Sequence, residues 1–204
     1  MATTFKTLNS ANDVTSTRTL LHEAIPLTGT IASGTYSDLN VKTYSHGMFE
    51  SVYDYPYLSS SANHIFDITT GYASNSALSS STSIQNSKKL NIYSQMAQVL
   101  VGYDATGSIQ SFDRDGDIAL GGDKINEAIF VNFSRLLTKD EMKKGSFVAS
   151  FLTGGTPAAR TDLMTIADHG AAASYKVNSP AGEYGILYTS SATPNADSGV
   201  GLVY

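Results

Sequence analysis

Lys124–Phe147 reads KINEAIFVNFSRLLTKDEMKKGSF, and this stretch decides the fold class. From Ala128 to Leu137 it is rich in branched and aromatic residues, which suit a pleated surface. Ile129, Val131 and Phe133 alternate on one face, and Ala128, Phe130 and Leu136 on the other, interrupted by Asn132 and Ser134. Apolar groups on both faces predict a strand buried on both sides for much of its length. Thr138 with Glu141 fits a capping box, in which the hydroxyl accepts a backbone N–H three residues on and the carboxylate reaches back. Asp140 and Glu141 in a first turn, with Lys143 and Lys144 in a last one, complement the helix dipole. Gly145 suits a left-handed C-cap. The stretch therefore predicts a strand, a short capped helix over about 138–144, and a second strand opening at Phe147. The fold class that follows is α+β, mainly β, with antiparallel strands and a few short helices. Lys139, Lys143 and Lys144 read as a solvated helix face before they read as an anion or partner contact.

The rest of the chain agrees with a polar β protein. Charged residues make up 15% of the 204, well below the roughly 25% of an ordinary soluble domain. Serine and threonine fill that place, at roughly a quarter of the residues, and favour turns and hydroxyl bonding. A formal net charge of -5 argues against a binder of nucleic-acid phosphates, which needs a basic footprint. With no cysteine, no disulfide framework or thiolate metal site can form. No apolar run approaches the roughly 18 residues that would cross a membrane, so membrane insertion is not expected.

Two levels of organisation follow. Residues 1–46, with scattered threonines and few large apolar groups, read as an extended N-terminal arm or as edge strands. Arg18–Pro26 could form a short helix, though Pro26 disfavours a helical Ile25. Residues 47–204 read as a single mainly-β domain, which stops inside the apolar run Gly199–Tyr204 and so is expected to be incomplete or to have its edge completed by another chain. The best helix spans about 87–101, where Tyr93, Met96, Ala97 and Leu100 fall at helical spacing and Gly102 stops the run. Residues 73–87 read as a loop, Ala62–Thr69 and Gly182–Tyr188 as strands, Thr161–Gly170 as a helical turn or a strand, and Ser190–Ser198 as a turn-rich loop.

Candidate chemistry is sparse. Asp113-Arg-Asp-Gly-Asp117 places carboxylates at the first, third and fifth positions of a loop, like the opening of an EF-hand calcium site. The likeness then fails, because the sixth position is Ile118 and not glycine, and the twelfth is Lys124 and not glutamate. Asp113, Asp115 and Asp117 remain the candidate metal ligands, for calcium; no other cofactor is expected. Phe49, Tyr53, Tyr55, Tyr57, Phe66 and Tyr72 form an aromatic cluster, to be read as core with hydroxyls at its rim or as a sugar platform. His22, His46, His64 and His169 show no zinc-protease spacing. No Gly-x-Ser-x-Gly elbow and no phosphate-loop lysine is present. No catalytic residue is assigned and no enzyme is expected.

Several phrases resemble virion structural proteins of marine T4-like tailed phages, notably cyanophages. They are Phe5-Lys-Thr-Leu8 with Thr17–Pro26, Phe49–Tyr57, Ala62–Asp67, and Ile129–Leu137 with Lys139–Phe147. The resemblance covers most of the chain in patches and carries no catalytic signature. It implies a non-enzymatic tail or baseplate component, located in the virion. Its partners would be other virion structural proteins in a homo- or hetero-oligomer, with no nucleic acid. Members of the family are often longer, in keeping with the abrupt end at Tyr204. A receptor-binding, carbohydrate-binding module, stabilised by calcium, is the alternative the residues leave open.

Overall fold

A computed structural model describes residues 38–204, apart from 81, 83, 120, 139–140, 157–158 and 190–197. The expected helix at Arg18–Pro26 and most of the expected arm lie outside the described residues. The part of the arm that is described ends in a strand, β1 (Val41–Thr43), paired with β2 (Glu50–Tyr53). β3 (His64–Tyr72) and β6 (Glu127–Phe133) complete an antiparallel four-stranded sheet in the order β1-β2-β3-β6. Between them come the helix α1 (Ile84–Leu100) and a two-stranded ladder of β4 (Phe112–Asp113) with β5 (Lys124–Ile125).

The second sheet follows in sequence. β7 (Val148–Thr156) and β8 (Ala159–Ala167) form a hairpin, and β10 (Gly182–Tyr188) pairs with β11 (Gly199–Val203). The order is β11-β10-β8-β7, with β9 (Lys176–Ser179) beside the first half of β10. β8 meets β10 only at the Ala167–Tyr188 pair. Short helical turns, α2 (Arg135–Thr138) and α3 (Ala171–Ser174), lie at the connections. The expected α+β, mainly-β class is what the chain adopts. No described helix is long and apolar enough to cross a membrane.

α1 is the element that joins the two sheets. It lies against β3, where Gly71 allows the approach: a Cβ there would stand 2.8 Å from the Tyr93 backbone nitrogen. Tyr93 of α1, Phe112 and Phe130 meet with ring centroids 5.4–6.4 Å apart, Tyr93 and Phe112 edge to face, the geometry that ring quadrupoles favour. Tyr184, Ile186 and Tyr188 of β10 close the same core from the other side. α1 ends as expected: Gly102 takes φ 85° and its N–H bonds the Ala97 carbonyl, a left-handed termination.

Several expectations are corrected. Of the helix expected over about 138–144, residues 139–140 lie outside the described residues and 141–144 are not helical; the described helical turn comes earlier, at Arg135–Thr138. The strand stops at Phe133, the Ser134 N–H turns back to the Ile65 carbonyl, and Ser134 occupies the position before the turn. Gly145 does take the left-handed conformation, in a turn and not at a helix end. Nor is β6 buried on both faces: it is the last strand of its sheet, and Ile129 is 59% exposed. The long helix begins at Ile84, three residues before its expected start, with a 3-10 turn at Ala77–Ser80 inside the expected loop.

Candidate functional site

The sheet pairing builds one polar row. Lys42 faces Ser51, Ser51 faces Asp67, and Asp67 faces Asn132, so one residue from each strand lies on the same face. A Ser–Asp–His constellation results. Ser51 Oγ donates to Asp67 Oδ1 at 2.5 Å, and His64 Nε2 meets the same oxygen at 2.9 Å. The order matters chemically. A nucleophilic serine needs the imidazole on its own hydroxyl and the carboxylate behind the imidazole. Here the carboxylate stands in the middle, and Ser51 has no base upon it from His64. His46 uses Nδ1 to accept the Met48 N–H at 3.0 Å, and His22 lies outside the described residues.

Asp168, adjacent to His169 in sequence, is 2% exposed. Its two carboxylate oxygens accept the Gly145 N–H at 2.6 Å and the Phe147 N–H at 2.9 Å. This clamp ties the approach to β7 onto the end of β8. Nothing in the residue order revealed it, because the partners are backbone groups more than twenty residues away.

The candidate metal ligands sit at the β4–β5 ladder. Asp113 is 1% exposed, and Lys124, its cross-strand partner, places Nζ 2.5 Å from Asp113 Oδ2. Asp113 Oδ1 accepts the N–H groups of Asp115 and Asp117 at 2.9 and 3.2 Å, and Asp115 Oδ1 accepts the Asp117 N–H at 2.8 Å. Burial alone would raise the Asp113 carboxyl, but the hydrogen bond with Asp115 and the Lys124 ammonium outweigh it and hold it below its ordinary value. Asp115 is pushed up by the same hydrogen bond. Among the described residues, no three His, Cys, Asp or Glu side chains are gathered in a way that could hold a metal ion. A shallow polar depression beside the loop is lined by Asn75, Arg114, Asp123, Lys124 and Asn126. The buried Oδ1 of Asn126 has no protein partner.

The aromatic cluster divides into separate groups. Phe49 packs with Tyr44 and His46, and Tyr53 with Tyr57 and His64. Phe66 stacks edge-on with Phe133 of β6, while Tyr72 donates to Asn86 of α1 at 2.7 Å. Tyr55 is 44% exposed. These rings do not share one platform.

The remaining feature is the β7–β8 hairpin. Among the described residues, β8 is paired on its outer side only at Ala167, and β7 is the last strand of the sheet. Leu152 faces Leu163 across the hairpin, and Phe151 faces Met164 on its other side. Val148, Leu152, Leu163 and Met164 are all exposed. β7 carries no charged residue along its nine positions. Comparison with family models, with curated proteins and with solved structures finds no match to this chain.

Proposed function

We propose that the chain is a non-enzymatic structural component of a tailed-phage virion, of the tail or baseplate, which acts through contacts with neighbouring subunits. The observation that carries this reading is the β7–β8 ribbon. Among the described residues its outer edges are uncovered for most of their length, and it shows exposed apolar side chains on both faces. Soluble proteins blunt such edges with lysine, proline or a covering element, because a bare edge recruits another chain. The ladder here is regular from Val148 to Leu152, and its only register shifts lie near the tip, at Leu152–Gly155. A ribbon of this kind belongs in an assembly, where a neighbour supplies the missing strand or the missing apolar surface. The resemblance of Phe49–Tyr57 and Ile129–Leu137 to virion proteins points to the same class of assembly.

The test is the solution mass of the isolated chain by light scattering over a range of concentrations, beside a Leu152→Lys, Leu163→Lys variant. Concentration-dependent association that the variant loses, with its melting temperature unchanged, is the expected result. A compact monomer at every concentration, with ribbon amides as protected from exchange as the core, overturns the reading.

A further inference from the structure

The regular part of the β7 edge is short, and its chemistry is symmetric about its middle. Its ladder with β8 runs without a shift from Val148 to Leu152, and the shifts begin beyond Leu152. The middle residue of that run is Ser150. Val148, Ser150 and Leu152 alternate on the outer face and are exposed, while Ala149 and Phe151 pack inward against Ile166, Leu187 and Val203. Ser150 and Thr165 join their hydroxyls across the hairpin at 2.9 Å. Among the described residues, no strand but β8 pairs with β7. An edge that meets its own copy about a two-fold axis brings like charges together near the axis, and like charges directly opposite destabilise a ladder. β7 has no charged residue, in a chain of net charge -5. The outer strands of the first sheet do carry charge, Lys42 on β1 and Glu127 on β6.

We infer that the partner of this edge is a second copy of the same chain, its β7 antiparallel to the first, with the two-fold axis at Ser150. This register pairs every position from Val148 to Leu152 and keeps the shifted segment beyond Leu152 out of the contact. Val148, 65% exposed, then lies opposite the partner's Leu152. Ala149 lies opposite the partner's Phe151, so a small side chain meets a large one on the inner face. The hydroxyls of Thr165 and Ser150 continue into those of the second copy as one row across the axis. Two open edges become a continuous sheet in the order β8-β7-β7-β8. The pairing names the neighbour that the assembly reading calls for, and it rests on that reading.

The chain has no cysteine, so single cysteines at exposed positions read the register directly. Ser150→Cys, Val148→Cys and Leu152→Cys, each in the full chain, are oxidised with copper phenanthroline and followed on non-reducing gels. Opposed residues of antiparallel strands stand about 4.5–5.5 Å apart at Cα, within disulfide reach. Val148 and its own copy would be about 13 Å apart along the strands, beyond that reach. Ser150→Cys should therefore link to its own copy at least about tenfold faster than either other variant alone, because pairing raises its effective concentration. A mixture of Val148→Cys and Leu152→Cys should link the two variants to each other. Self-linking of Ser150→Cys no faster than that of Val148→Cys or Leu152→Cys overturns the inference. Light scattering separates the two levels. Association without that linkage overturns the pairing and leaves the assembly reading standing, and a monomer at every concentration overturns both.

Discussion

Two hairpins of one sheet differ in almost every physical respect. In β10–β11, Tyr184, Ile186, Leu187 and Tyr188 are buried, with Tyr184, Ile186 and Tyr188 in the α1 core and Leu187 in the cluster on the opposite face. The β11 edge is also occupied by the chain itself. The Met142 N–H bonds the Tyr204 carbonyl at 3.0 Å, and Gly199 packs directly on the Arg114 carbonyl. In β7–β8, residues 162–165 are all exposed, and among the described residues the outer edges are covered only where Ala167 pairs with Tyr188. What separates the two hairpins is cover. The first is held by the fold and the second is offered by it.

Equal substitutions in the two hairpins should therefore have unequal effects. Leu187→Ala, in a side chain 6% exposed, should cost about 2–5 kcal/mol in urea unfolding, the range for emptying a packed core position. Asp168→Ala acts at the junction of the two. It strands the Gly145 and Phe147 N–H groups and should cost about 2–3 kcal/mol, with the first loss of amide protection at residues 145–148. A smaller effect is expected from acid. The folded Asp113 carboxyl ionises below its ordinary 3.8, so its stabilisation is present above that pH and is lost as pH falls through the folded value. Asp113→Asn should flatten that limb of a stability–pH profile. Smallest for the isolated chain is Leu163→Ala. At 59% exposure it should change unfolding free energy by no more than about 0.5 kcal/mol, yet weaken association measured by light scattering.

How much of this was legible depends on whether the signal was local. α1 and its Gly102 stop could be read because helical spacing and a C-cap glycine are written within one segment. β10 matched Gly182–Tyr188 to the residue. The burial assigned to Ala128–Leu137 belongs instead to β10. Both segments are apolar on two faces, and only the strand order, which pairwise registry across the chain decides, puts β10 inside and β6 at an edge. The helical turn near Thr138 was misplaced because β6 stops at Phe133, where the Ser134 N–H bonds the Ile65 carbonyl of another strand, a contact that no local signal announces. Among the candidate ligands, the departure at Lys124 was visible in the sequence, but that its ammonium reaches Asp113 was a matter of β4–β5 register. Ser51, Asp67 and His64 gave no signal in sequence, since their meeting depends on one strand pairing and the irregularity at Val52–Tyr53.

The end of α1 has a consequence for the order of folding. A helix leaves its last carbonyls without partners of its own. The Leu100 carbonyl receives the Ser179 hydroxyl, and also the Tyr204 hydroxyl at 3.0 Å, from residues 79 and 104 positions further on. The helix that joins the two sheets is thus finished by contacts of very long loop closure, the kind that makes folding slow. In the order of synthesis that carbonyl meets its Ser179 partner before its Tyr204 partner, so the helix end is completed in two steps, both long after α1 itself.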